Sequence, residues 1–241
     1  MRVFAKSDVG KVRQMNQDYY YVAEEKDYNL CILADGMGGY TGGEIASKLA
    51  TISAVEYIKE NFETTSKEKE EILELIRSAM EYANNVVFDK AKHEENLEQM
   101  GTTLEICLIY NNRVFIGHIG DSRIYRIRKD IIRKITTDHS YVQKLVKDGT
   151  ITKEEAAHHP KKNMLMKALG CEPIIEPDVM VKGFLEGDII LICSDGLTNM
   201  IEEKDIFNII EKDFESAVQN LVDTANANGG LDNITIIAIK N

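Results

Sequence analysis

The sequence predicts an α+β chain in which mainly antiparallel strands pack as sheets and long helices lie outside them. Three observations carry this expectation. Short apolar, β-branched runs recur along the chain, two long helical patterns separate the first run from the second, and tight turns join later runs. The runs are LCILA (30–34), TLEICLIY (103–110), RVFIGHIG (113–120), RIYRIR (123–128), DIILICS (188–194) and NITIIAI (233–239), all rich in residues that fit a pleated, half-buried surface. YNNR turns the second run into the third, and RKD after Ile127 begins another reversal. Successive short hairpins favour antiparallel pairing.

The helical segments follow by period. Ile45, Leu49, Ile52, Val55 and Ile58 recur every three or four residues, as do Ile72, Leu75, Ile76, Ala79, Ala83 and Val86. Each pattern has one apolar and one charged face, so each helix covers a sheet. Shorter helices are expected at 140–147, 153–158, 203–212 and 215–227. The polar stretch from about 138 to 170, with KDGTITKEEAAHHPKKN, reads either as a helical flap over a site or as a solvated surface excursion. Two sheets face to face with helices outside would bury this much apolar sequence.

The bulk numbers limit the function. The chain has 241 residues, 44% of them hydrophobic, with three prolines and no flexible linker, which favours one domain. Its 29 basic and 40 acidic residues give a net charge of −11, which argues against nucleic acid or an anionic membrane as main partner. No apolar run approaches the roughly 20 residues of a spanning helix. The start, MRVFAKSDVG, lacks the features of a signal peptide, so a cytoplasmic location is expected. Cys31, Cys107 and Cys193 sit in apolar runs and read as small core residues in a reducing compartment; Cys171 lies far from them.

The aspartates are informative by position. Asp35 follows CILA, Asp121 follows FIGHIG, Asp195 follows IILICS and Asp232 precedes NITIIAI. One Asp-Gly at a strand end is an ordinary turn. Four acids at the mouths of strands that converge in packed sheets are harder to explain so. Two carboxylates about 4 Å apart repel by roughly 4 kcal/mol at a surface-like dielectric, so a cluster needs protons or a cation. Short oxygen donors suit Mg²⁺ or Mn²⁺, and the carbonyl of Gly36 can approach a cation because no side chain intervenes. The cysteines and histidines lack zinc-site spacing. Asp18, after the polar run RQMNQ, extends the acidic set. Arg13, five residues earlier, could hold a phosphate dianion in bidentate fashion. No nucleotide cradle of the GxxxxGK[ST] or GxGxxG kind is present.

At this point the chain resembles the PPM-type, or type 2C, metal-dependent protein serine/threonine phosphatases. The matching stretches are SDVGKVRQMNQD (7–18), ADGMGG (34–39), MGTT (100–103), GDSR (120–123), DHS (138–140), LMKALG (165–170), CSDGL (193–197) and DNIT (232–235). They occur in family order across nearly the whole chain, and the lean length resembles the bacterial branch. The resemblance implies a four-layer α-β-β-α sandwich with the site in a cleft at one end of the two sheets. It implies that Asp35 bridges two Mn²⁺ or Mg²⁺ ions, that Gly36 lends its carbonyl, and that Asp195 and Asp232 complete one ion's shell. By the same resemblance Asp18 lies at or just behind the second ion. Asp121 joins Asp195 at a third, weaker ion with Asn163 near it, and Arg13 binds the substrate phosphate.

The reaction so implied is hydrolysis of phosphoserine and phosphothreonine by a hydroxide that bridges the metals. The partners implied are phosphoproteins, including a serine/threonine kinase and its substrates, met by a monomer. Two positions depart from some relatives. Gln17 stands where those carry Glu and could reach a metal only through water. Met37 stands where those carry a histidine general acid, and it cannot donate a proton. His118 and His139 are the nearby histidines, each also readable as structural. The glycines after Met37 are expected to turn the chain from the cleft into a helix starting near Glu44. A phosphoprotein-binding module with little turnover and a small-molecule phosphatase remain open alternatives.

Overall fold

A computed structural model describes residues 1–37 and 42–241. Gly38 and Gly39, within the second matching stretch and in the expected turn toward Glu44, lie outside the described residues. Two antiparallel sheets form the centre. The first has the order β1 (Arg2–Asp8), β11 (Ile234–Lys240), β10 (Ile189–Cys193), β7 (Arg123–Arg128) and β8 (Ile131–Lys134). The second has the order β2 (Asp18–Glu24), β3 (Asn29–Met37), β5 (Leu104–Tyr110), β6 (Arg113–Ile119) and β9 (Asp178–Gly183), with the short β4 (Gly101–Thr102) on the end of β3.

Alternation along the strands builds three apolar layers. Cys31, Leu33, Cys107, Ile116, Ile192 and Ile237 fill the space between the sheets. Leu30, Ile32, Ile106 and Phe115 face the other way, onto α1 (Gly43–Phe62) and α2 (Lys69–His93). On the far side Tyr125, Leu191, Cys193 and Ile236 pack on α6 (Glu203–Lys212) and α7 (Phe214–Ala227). The layer order is therefore the expected α-β-β-α. Each fully buried Leu or Ile contributes about 1.5–3 kcal/mol by leaving water.

The buried face of α1 differs from the expected one. Ala46, Ala50, Ala54 and Ile58 face the core, while Ile45 and Leu49 are half-buried and Ile52 is exposed. Small side chains let α1 lie close against the sheet and α2, and apolar periodicity under-weights alanine. In α2 the inward positions are as expected except that Val87 is buried and Val86 only half-buried. The expected helices at 140–147 and 153–158 are α3 (Tyr141–Lys147) and α4 (Lys153–Ala157), and a further short helix, α5 (Asp195–Thr198), follows β10. Asp35 does not end its strand. β3 runs through it to Met37, because Gly36 and Met37 pair with Thr102 and Gly101 of β4.

Candidate active site and metal centre

The ends of both sheets open on a cleft of about 730 Å³ lined by Arg13, Gln17, Asp35, Gly36, Met37, Thr103, Asp121, Asn163, Asp195 and Asp232, among others. Each acid arrives on a different element. Asp35 is on β3 and faces Asp18 of β2 directly across the ladder. Asp121 follows β6, Asp195 begins α5 after β10, and Asp232 lies just before β11. Asp18 is buried behind the lining residues, accepting a hydrogen bond from Ser194 Oγ at 2.8 Å.

Close backbone contacts bring these elements together. A Cβ at Gly36 would fall 2.1 Å from the Gly43 carbonyl oxygen and 2.6 Å from that of Gln17. Only glycine lets β3, the start of α1 and the 9–17 loop meet there. A Cβ at Gly196 would sit 1.9 Å from Asn233 O, so glycine also brings Asp195 beside the Asp232 strand end. Thr103 fixes the Asp35 backbone from both sides. Its Oγ1 accepts from Asp35 N at 2.9 Å, and its own N donates to Asp35 O at 2.9 Å. The same hydroxyl meets Ser122 Oγ at 2.9 Å, linking Asp35 to the residue after Asp121. Asn233 ties the Arg13 loop down: its Oδ1 accepts from Gln17 N at 2.8 Å, and its Nδ2 donates to Val9 O and Met15 O at 2.9 Å.

The electrostatics are those of crowded acids. Burial first, and then Asp18, Asp195 and the other acids, push the Asp35 carboxyl well above the usual carboxylate range. Burial raises Asp18 to about 7, against hydrogen bonds from Thr235 and Ser194 that favour its anion. Burial and Asp195 raise Asp121 to about 7. Burial and Asp232 raise Asp195 to about 6. The guanidinium of Arg13 donates from Nη2 to Asp232 Oδ2 at 2.8 Å with half its side chain exposed. It is the single basic side chain lining the cleft among the described residues.

These residues fit a hard divalent cation. Asp18 Oδ1 is buried with no hydrogen-bond partner among the described residues, and a divalent cation among the raised carboxyls would favour their ionised form. The donor set is oxygen throughout. Among the described residues no three His, Cys, Asp or Glu side chains close on one point as a finished cage. Mg²⁺-like ions keep several waters and need only one or two carboxylates each.

The histidines stay out of the cleft. His118 is fully buried, with Nδ1 2.6 Å from Glu105 Oε1 and Nε2 2.9 Å from Thr137 O. Burial lowers the His118 imidazolium, but the Glu105 carboxyl outweighs it and raises the ring to about 9, while burial raises Glu105 to about 7; the two buried groups share a proton across this contact. His139 packs on it with ring centroids 4.6 Å apart. Its Nδ1 accepts from Gly120 N at 3.2 Å, and its N donates to Gly120 O at 2.7 Å, which pins the turn before Asp121. Burial, then the His118 charge, lower His139 to about 4. Neither ring lines the cleft.

Sequence reasoning gathered Arg13, Asp35, Gly36, Asp121, Asp195 and Asp232 at one cleft, with Asp18 at or just behind an ion; the structure brings the first six to the cleft lining and buries Asp18 across the ladder from Asp35. Sequence reasoning did not single out Thr103, Ser194 or Asn233. The signal available was that each lies inside a matching stretch, in MGTT, CSDGL and DNIT.

Comparison with known proteins follows the same line. The family model described as Protein phosphatase 2C matches residues 10–235. The serine/threonine phosphatase stp of Listeria innocua is 37% identical over 238 residues, 98% of this chain and 94% of that protein. The crystal structure of the Mycobacterium tuberculosis serine/threonine phosphatase PstP/Ppp superposes with a TM-score of 0.89 at 34% identity, covering 100% of this chain and 99% of that one. A structure of the catalytic domain of the serine/threonine protein phosphatase PstP in complex with two manganese ions superposes with a TM-score of 0.85 at 34% identity, over 98% of this chain and 96% of that one.

Proposed function

Because the chain belongs to the protein phosphatase 2C family, in its bacterial branch, and is a protein serine/threonine phosphatase dependent on Mn²⁺ or Mg²⁺ with two core ions, we propose that the aspartate cleft is its catalytic centre. The observation that carries this is the convergence of Asp35, Asp121, Asp195 and Asp232, from four separate elements, on one cleft with Arg13.

In this reading Asp35, the Gly36 carbonyl, Asp195 and Asp232 would hold the two core ions. Asp18 supports the second ion, and Asp121 with Asp195 takes a third, weaker one beside Asn163. When bound, the ions acidify water to hydroxide near neutral pH and neutralise phosphoryl oxygens. The chain's own work is positioning. Thr103 holds the Asp35 backbone and, through the Ser122 hydroxyl, ties it to the residue after Asp121. Arg13 turns from Asp232 to clamp the phosphate of the substrate in line.

A cysteine nucleophile has no support. Cys31, Cys107 and Cys193 are buried, and burial raises their thiols, those of Cys31 and Cys193 to about 12. The described cleft-lining residues include no histidine, lysine, tyrosine or cysteine, so the leaving-group proton would come from water or from one of the raised cleft acids.

Residues 138–170, carrying α3 and α4, act as a flap on a single catalytic domain. The partners proposed are a serine/threonine kinase and its substrates, met by a cytoplasmic monomer. Among the described residues no helix is long and apolar enough to cross a membrane.

Asp35→Ala and Asp195→Ala test the centre. Each is expected to lower metal-dependent hydrolysis of an aryl phosphate and a phosphothreonine peptide by about 10³-fold or more, the several kcal/mol that a metal-held transition state supplies. Circular dichroism checks that the fold survives. Wild-type-like turnover in either variant would sink the assignment, and faster turnover of nucleotides or sugar phosphates than of phosphopeptides would move the substrate class.

A further inference from the structure

A second cavity, of about 770 Å³, lies beside the catalytic cleft. β8 and the ends of α5 and α6 form one side, and α3 and α4 form the other. Asp121, Asn163 and Asp195 line both cavities, so the two share a wall.

Their charges are opposite in character. The catalytic cleft gathers acids around a single arginine. Beyond the shared aspartates, the second cavity gathers Arg123, Arg133, Lys134, Lys153 and Lys162 against Asp138 and Glu203. Arg123 and Lys134 are committed to Asp138, at 2.8 and 3.0 Å. That pairing holds the Asp138 carboxyl below its usual range despite its burial. Arg133, Lys153 and Lys162 make no ion pair among the described residues, and the carboxylates left in the chamber are Glu203 and, on the wall shared with the catalytic cleft, Asp121 and Asp195. The three cations come from β8, from the first residue of α4 and from the loop after α4. Surface lysines on one helix commonly just face solvent. Here three cations from three segments line one chamber of a chain whose net charge is −11. Ser140, Gln143, Thr198 and Asn199 add hydrogen-bonding side chains to the same walls.

We propose that this chamber is a second anion site for the substrate, taking a further phosphoryl group on the same phosphoprotein a few residues from the one being hydrolysed. The inference rests on the phosphatase reading above and adds a specificity element to it. A phosphoserine brings close to two negative charges and three strong acceptor oxygens, which three cations from different segments can meet together. An acidic side chain offers one charge and a flatter set of acceptors, and gains less. Because the cations are exposed, the attraction weakens with added salt.

The test uses the metal-loaded full chain with three substrates: p-nitrophenyl phosphate, a monophosphorylated peptide, and the same peptide with a second phosphoserine two to six residues away on either side. A fourth peptide carries Glu at that second position. The wild type is expected to show about tenfold lower KM for one of the doubly phosphorylated peptides than for the monophosphorylated one. That gain should shrink between 50 and 500 mM NaCl. In the combined variant Arg133→Ser, Lys153→Ser, Lys162→Ser the ratio of the two KM values should fall to one. A gain reserved for phosphate assigns the site to phosphoryl groups, and an equal gain with Glu would overturn that assignment. A wild-type ratio of one, or a preference that survives in the combined variant, with p-nitrophenyl phosphate still hydrolysed, overturns the second site alone. Failure of the wild type to hydrolyse p-nitrophenyl phosphate would overturn the phosphatase reading, and this site with it.

Discussion

Two acids on neighbouring strands meet burial in opposite ways. Glu105 of β5 lies opposite Leu33 of β3, two residues before Asp35. Its carboxylate is fully buried and faces His118 at 2.6 Å, so the charge is answered inside the protein. Burial pushes Glu105 up, and the His118 charge pulls it back. Asp35 has no such partner among the described residues; the charges that shift it most are those of Asp18, Asp195, Asp121 and Asp232. One strand pair thus carries a closed charge and an open one. The closed one holds β5, β6 and the chain at Thr137 together. The open ones sit at the cleft, where the proposed ions would answer them. Burial alone therefore does not mark a functional acid; the absence of a built-in partner does.

Breaking each acid separately should separate these roles. Glu105→Ala removes one partner of a buried, hydrogen-bonded pair, and should cost about 3–5 kcal/mol of stability in urea unfolding. Folded enzyme at low temperature should keep kcat within a few-fold. Asp35→Asn should do the reverse. Removing one of several mutually repelling carboxylates should leave the chelator-treated protein as stable as the wild type or more so, while Mn²⁺ no longer raises its melting temperature. A Glu105 variant that loses turnover without losing stability would erase the distinction.

The pH dependence sharpens the same contrast. Asp18, Asp121 and Asp195 have folded values of about 7, 7 and 6, and Asp35 is also raised. An acid raised above its unfolded value, near 3.9, favours folding while protonated. Its contribution is fully present below about pH 4 and is lost as pH rises through 6 to 7. Metal-free protein should therefore lose stability from pH 5 to pH 8. Stabilisation by Mn²⁺ or Mg²⁺ should grow across the same window, because the ions displace protons. His118, raised to about 9, also loses its contribution as pH rises, mostly above 7. Unfolding curves of Asp35→Asn beside the wild type separate the two sources: the slope from pH 5 to pH 7 should flatten in the variant and the slope toward pH 9 should remain.

The same contrast between open and closed explains what the sequence made legible. Strands closed in on both sides by neighbours, such as β10 and β5, are buried along nearly their whole length and read as apolar runs, broken in β5 only by Glu105. β1, β2 and β9 are edge strands with half-exposed positions throughout, so RVFAKSD, DYYYVAE and DVMVKG break the apolar pattern. The acids were legible because each interrupts or borders an apolar run. Asn233 and Ser194 were not, because a polar residue beside an aspartate looks like a turn until the chain folds. Their partners, Gln17 and Asp18, are 216 and 176 residues away in sequence.

The smallest expected effect is at Met37. It lies two residues after Asp35 on the same face of β3 and lines the cleft, where some related enzymes place a histidine acid. Its methyl group would lie 3.0 Å from a Cβ at Gly101, so the side chain is packed along β4. A histidine there would be shorter than methionine, would not reach Gly101 in the same way, and would stand beside several carboxylates. Met37→His is expected to change kcat on an aryl phosphate by less than about threefold and to leave the pH–rate profile without a new limb. Aryl phosphates have good leaving groups, so the decisive substrate is a phosphoserine peptide, whose alkoxide most needs a proton. A new basic limb there, with a higher kcat, would mean that this cleft can use an acid it does not carry. An unchanged profile would mean that water, the raised cleft acids and the neutralising cations already meet that need.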